Sequence, residues 1–218
     1  MWRAPRAEIV PGMRNKSFVI APGFLLLGVL GMKFGWKPNP DLDWGVALPL
    51  WTAAHLAYVV GNVAFGFVLF RLWSWGRDGA RSPLERGAVH VLGAVGAVGL
   101  VAMIGQLVVD LLVGFEAGSR ADMSAISGRY HDIPGFDTFF YGAIPALHLA
   151  ATSLLVVLLA VRGRVAVWPA ALFFVGAVAI GTQLTALMVA GGLALCVTLT
   201  VMARENAVVG RVPVGAAS

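Results

Sequence analysis

The residue best equipped for chemistry in this chain is His148, carried by the stretch Phe139–Thr152, FFYGAIPALHLAAT. There a Gly- and Pro-punctuated connection runs into an apolar segment. Imidazole is the side chain that can serve as acid, base, nucleophile or metal ligand near neutral pH. Thr152 follows one helical turn later and would share its face. A second group lies upstream: Asp110 with Gln106 one turn before it, and His55 in an earlier apolar run. Thr182, Gln183 and Thr185 interrupt the last apolar stretch. Arg120 and Arg129 stand in the longest polar connection, where they could hold an anionic headgroup through charge-assisted hydrogen bonds.

The elements that must position these groups are hydrophobic. Apolar residues make up 59% of the chain and charged ones 12%, with a mean hydropathy of +0.83. Soluble domains carry about 25% charged residues, so this composition belongs in a bilayer. Six apolar runs, 17–35, 44–70, 87–115, 138–161, 165–180 and 184–202, predict an all-α, polytopic bundle of six transmembrane helices. The expected organisation is a basic tail 1–16, one transmembrane domain 17–203 with an outer loop 116–138, and a tail 204–218. The first run follows a basic flank as a signal peptide would. No small-x-small cleavage site follows and Pro22 interrupts it, so a retained, irregular span is expected.

The net charge of +5 does not mark a nucleic-acid binder, because the arginines fall between apolar runs. With the N-terminus inside, one set of connections holds Arg3, Arg6, Arg14, Lys16, Arg71, Arg77, Arg81, Arg86, Arg162, Arg164, Arg204 and Arg211. The other holds only Lys33, Lys37, Arg120 and Arg129. The positive-inside bias therefore puts both termini in the cytoplasm of a cell membrane crossed several times. Cys196 is the single cysteine, so no internal disulfide is possible. Tryptophans near the span ends read as interface anchors. The Gly- and Ala-rich third run, with pairs such as Gly93 and Ala97, predicts close helix packing.

Counted at 1.5 Å per residue, His55 and His148 each lie about 15 Å in from the outer end of their runs. Asp110 and Gln106 lie nearer that end. One polar cluster in the outer half of the bundle is expected, since ionisable groups at membrane depth face a partner or a water-filled cavity. Each member also has a plainer role. His148 and His55 suit interhelical hydrogen bonds, Asp110 suits an ion pair with Arg120 or Arg129, and His90 suits the interface. His131 and Asp132 sit in a solvated loop with weak metal-ligand spacing.

Gly142-Ala143-Ile144-Pro145-Ala146-Leu147-His148 resembles the second motif of the type 2 phosphatidic acid phosphatase superfamily. The closest likeness is to its inositol phosphorylceramide synthase-like branch, with the pattern Gly-Ala-x-Pro-Ser-Leu-His. The resemblance implies a six-span bundle with a site at its outer face. In that family a later His-x-x-x-Asp supplies the nucleophile and the carboxylate that orients it, and the upstream histidine protonates the leaving group. Here the corresponding stretch runs from Thr182 to Met188. Leu184 and Met188 take the two positions, and neither side chain can attack phosphorus or move a proton. Ala146 replaces the motif serine, and the family's lysine-to-Arg-Pro phosphate-binding motif is not found.

Three functions follow as expectations. The first is a phosphatase-like protein without phosphatase chemistry, which binds membrane lipids or packs against partner membrane subunits in a larger complex. The second is an active lipid-phosphate phosphatase or phosphotransferase that uses His148 with Asp110 or His55. The third is a membrane subunit that holds b-haem between His55 and His148. No metal site and no other cofactor are expected.

Overall fold

A computed structural model describes residues 16–209, so the expected tail 1–16 lies almost wholly outside the described residues, whereas the expected tail 204–218 begins inside α7, which continues to Val209. The chain forms α1 (Ser17–Leu30), α2 (Trp44–Asp78), α3 (Pro83–Glu116), α4 (Arg120–His131), α5 (Leu147–Val161), α6 (Val167–Gly181) and α7 (Thr185–Val209). A π-helical turn, Gly31–Trp36, extends α1, and a second, Asp137–Tyr141, precedes α5. No strand occurs among the described residues.

Local signals set the helix starts. The Asp43 side chain accepts from the Gly45 N–H at 2.8 Å to cap α2. Ser82 caps α3 at the Glu85 N–H (3.2 Å) with Pro83 in its first turn, where a missing N–H costs nothing. Ser119 caps α4 at Asp122 (3.1 Å). Pro22 does not break α1, which runs through it; the irregularity expected of this span falls instead in the π-helical turn at its end.

Six helices close a ring: α1 packs on α2 and α7, α3 on α2 and α5, and α6 on α5 and α7. The ring's core joins Phe18, Phe65, Val68, Leu72, Leu159, Phe173, Leu195 and Leu199 from α1, α2, α5, α6 and α7. One end of the bundle is basic. There Arg162 donates to the Gly76 carbonyl (2.9 Å) and lies 3.2 Å from the Glu85 carboxylate, while Arg164 donates to the Trp75 carbonyl (3.2 Å). Both arginines thus satisfy carbonyls at the C-terminal end of α2. At the opposite end Trp36, Ala47, Val113, Ala117 and Met123 form a second cluster under α4.

Four helices are long and apolar enough to cross a membrane: 17–36, 44–78, 83–116 and 185–204. The runs expected as fourth and fifth spans form the shorter apolar helices α5 and α6. The fourth run, expected as one helix over 138–161, is broken. After the π-helical turn the chain passes through Gly142–Ala146 without helical structure, and α5 begins only at Leu147. Gly142 and Pro145 give the reason, since glycine is costly and proline disruptive inside a helix.

This broken segment runs along α3. Tyr141 reaches Asp110, Phe140 lies over Gly105, and the backbone of Ile144–His148 rests on Gly99. A Cβ on Gly99 would stand 2.5 Å from the His148 nitrogen and 2.9 Å from the Ile144 oxygen. Only glycine allows this approach of backbone to backbone. Non-helical backbone at membrane depth is tolerated when it is buried in protein, and the α3 surface provides that cover. Gly93, expected in close helix packing, lies against the Trp73 ring of α2, whereas Ala97 is exposed.

Candidate functional site

The polar residues converge at the end opposite the basic one, between α2, α3 and the broken segment. The His55 Nδ1 lies 2.9 Å from the Trp51 carbonyl. A carbonyl only accepts, so Nδ1 carries the proton and Nε2 faces outward from its helix. That Nε2 is 3.6 Å from Asp110 Oδ2. The other carboxylate oxygen accepts from the Tyr141 hydroxyl at 2.6 Å. His55 is buried, and Asp110 retains 20% of its side-chain exposure.

Aromatic rings wall this group. Trp51 lies on the His55 ring at 3.8 Å and donates its indole N–H to the Asp110 carbonyl at 3.4 Å. Trp36 lies on Trp51 at 4.9 Å, and the Arg120 guanidinium sits 3.7 Å from the Trp36 ring. On the loop side the Tyr141 ring lies tilted against His131 at 4.7 Å, and His131 pairs through Nδ1 with Asp137. An unbroken file of contacts therefore runs from Arg120 through Trp36, Trp51, His55, Asp110 and Tyr141 to His131 and Asp137.

Two of the expected site residues, His55 and Asp110, meet here. Arg120 reaches them only through Trp36 and Trp51, and the others do not join them. Asp110 does not pair with an arginine: Arg120 donates to the carbonyls of Trp36 (3.2 Å) and Asn39 (2.7 Å), and Arg129 lies 3.7 Å from Glu116. The Gln183 carbonyl accepts from Lys33 at 3.2 Å and its amide donates back to Ile180 at 3.5 Å. Gln106 is half-buried on α3. The Thr152 hydroxyl donates to the His148 carbonyl at 2.6 Å, a bond within α5.

His148 lies apart from this cluster and deeper. Its ring stands edge-to-face with Phe65 at 5.6 Å, and its backbone touches Gly99. Phe65 is ten residues beyond His55 on α2, and Gly99 is eleven residues before Asp110 on α3. Both helices therefore give an offset of about 15 Å between the two histidines. The equal depth expected for them is corrected: an extended chain advances about twice as far per residue as a helix, so the broken segment carries His148 farther in.

The His148 Nδ1–H donates to the Pro145 carbonyl at 2.5 Å, and the residue is 3% exposed. Its contacts with Phe65, Pro145, Gly99 and Thr152 include no ionisable side chain. Leu184 is exposed and Met188 is buried on α7, which packs chiefly on α1 and α6, whereas α5 packs on α2, α3 and α6. A single haem iron needs its two axial imidazoles on opposite sides of one ring. Histidines offset by about 15 Å along the bundle do not provide that. No group of three or more His, Cys, Asp or Glu side chains suited to a metal ion occurs among the described residues.

Reasoning from sequence missed Trp36, Trp51, Tyr141 and Asp137. The available signal was Tyr141, a phenol inside the same stretch as His148. Comparison of the chain with protein-family models, with curated proteins and with solved structures returns no match.

Proposed function

We propose that this chain is a six-pass, multi-pass protein of the bacterial inner membrane, with both termini cytoplasmic. In this reading it keeps a layout like that of the type 2 phosphatidic acid phosphatases without their chemistry, and acts as a lipid-binding accessory subunit of a membrane complex. The observation that carries the reading is the environment of His148. A general acid or nucleophile must reach the reacting atom and needs a partner to set its proton. His148 is sealed among Phe65, Gly99 and the Pro145 carbonyl, with no carboxylate among its described neighbours.

The His55–Asp110–Tyr141 group supports the same conclusion from the other side. Both imidazole nitrogens and both carboxylate oxygens already have neighbours within the protein. Such a group fastens the broken segment to α2 and α3. The arginines at one end, and the apolar α5 and α6 on either side of the Arg162–Arg164 corner there, support six passes.

The test is phosphate release from phosphatidic acid and from a polyprenyl pyrophosphate by purified protein in proteoliposomes. No release above protein-free vesicles is expected. Turnover that His148→Ala abolishes would overturn the reading. A second reading, an active lipid-phosphate enzyme, is favoured only by the partial exposure of Asp110 beside His55. Turnover abolished by Asp110→Asn but kept in His148→Ala would support it.

A further inference from the structure

A groove of about 420 Å³ opens on the outside of the bundle between α2 and α3, lined by Gly66, Phe70, Trp73, His90, Ala94 and Ala97 among others. Its walls are apolar except at one point. Near the basic end the Trp73 indole N–H donates to His90 Nδ1 at 3.3 Å, with the rings edge-to-face at 5.6 Å. Tryptophan and histidine pairs of this kind, apolar in body and polar at the tip, suit the level where headgroups begin.

Charge flanks that polar point. The Arg77 guanidinium lies 4.9 Å from the Trp73 ring and also pairs with Asp78 at 3.0 Å. Arg86 is exposed one turn before His90 on the groove face of α3. From His90 to Val101 the groove follows eleven residues of α3, about 16 Å. That equals the depth of one leaflet, about half of the 30 Å hydrocarbon core. The small side chains of Gly66, Ala94 and Ala97 leave the room. Ala94 and Ala97 are exposed, so the gap is not closed by the protein itself.

We propose that this groove holds one anionic phospholipid of the leaflet at the basic end, with an acyl chain along α3 and its phosphate between Arg77 and Arg86. A zwitterionic lipid would fill the apolar part equally well and also carries a phosphate, but its headgroup cation opposes the two arginines, so the net negative headgroup gains more. This site deepens the lipid-binding reading above and rests on it.

The test is native mass spectrometry of delipidated protein titrated with phosphatidylglycerol or phosphatidylcholine of identical chains. The wild type is expected to retain phosphatidylglycerol more strongly. Arg77→Gln and Arg86→Gln should each reduce that preference about fivefold, the scale of one basic residue near an anionic surface. Ala94→Leu/Ala97→Leu should remove tight binding of both lipids, and because both positions are exposed the bundle should stay folded. Quenching of Trp73 by a phosphatidylglycerol with brominated chains provides a second measurement, read as the difference from Trp73→Phe. Tight lipid binding that ignores the filled groove, or equal affinity for the two headgroups, would overturn the site while leaving lipid binding in place. Failure to retain any lipid would overturn both readings.

Discussion

Replacing Gly99 by alanine should unlatch the start of α5. The added Cβ would lie 2.5 Å from the His148 nitrogen, 2.9 Å from the Ile144 oxygen and 3.0 Å from the Leu147 carbonyl carbon. Comfortable contact begins at about 3.5 Å, so something must move by about 1 Å. All three atoms belong to the backbone, and His148 is held from the far side by Phe65. Overpacking of this kind costs about 1–3 kcal/mol, and a rigid backbone neighbour places it at the upper end. Alanine's better helix propensity returns up to about 1 kcal/mol, leaving a net loss of roughly 2 kcal/mol. Gly23→Ala is the matched control, because a Cβ there meets nothing within 4 Å. It should be neutral or stabilising by roughly 0.5–1 kcal/mol. Both are read by reversible unfolding with SDS in mixed micelles. A Gly99→Ala protein as stable as Gly23→Ala would refute the close approach and, with it, the path of the broken segment along α3.

Tyr141→Phe removes the hydroxyl from Asp110 and should cost about 1.5–3 kcal/mol in the same unfolding titration, the worth of a hydrogen bond to a charged group. An unchanged midpoint would deny the fastening role of that bond. Arg162→Gln takes the cation from Glu85 and the donor from the Gly76 carbonyl at the C-terminal end of α2. It should cost roughly 2–3 kcal/mol in that titration, below a fully buried pair because Glu85 is about a third exposed. Arg120→Lys keeps the charge but loses the guanidinium plane over Trp36 and shortens the reach of the one terminal nitrogen that donates to both carbonyls. A loss of about 1–2 kcal/mol, with a shift in tryptophan emission, is expected.

Much of the helical frame could be read from residues alone. The runs that became α2 and α3 are long, apolar and opened by Asp43 and by Ser82-Pro83, signals that act locally. Counting put His55 and Asp110 in the same half of the bundle, because each sits in an unbroken helix where residue count converts to distance, but at different depths, so their pairing itself was not legible. The depth of His148 was not legible either, because that conversion fails once Gly142 and Pro145 break the helix. The partners of Arg120 and Gln183 were illegible for another reason: the rotation of a helix about its axis is set by packing across the ring, which a single apolar run does not encode. Trp51 and Trp36 looked like interface anchors by position, yet they form the wall of the polar group.

The brevity of α5 and α6 has a consequence for biogenesis. Each has 15 residues, about 22 Å of helix, against about 20 residues needed to cross the hydrocarbon core. On the six-pass reading proposed above, neither is suited to leave the translocon alone, and the tight Arg162–Arg164 corner between them favours entry as a paired hairpin. The glycine-lined flank of α3 must already be waiting in the lipid to cover the unwound chain ahead of α5. On that reading α3 enters the bilayer before the hairpin whose unwound lead-in it covers.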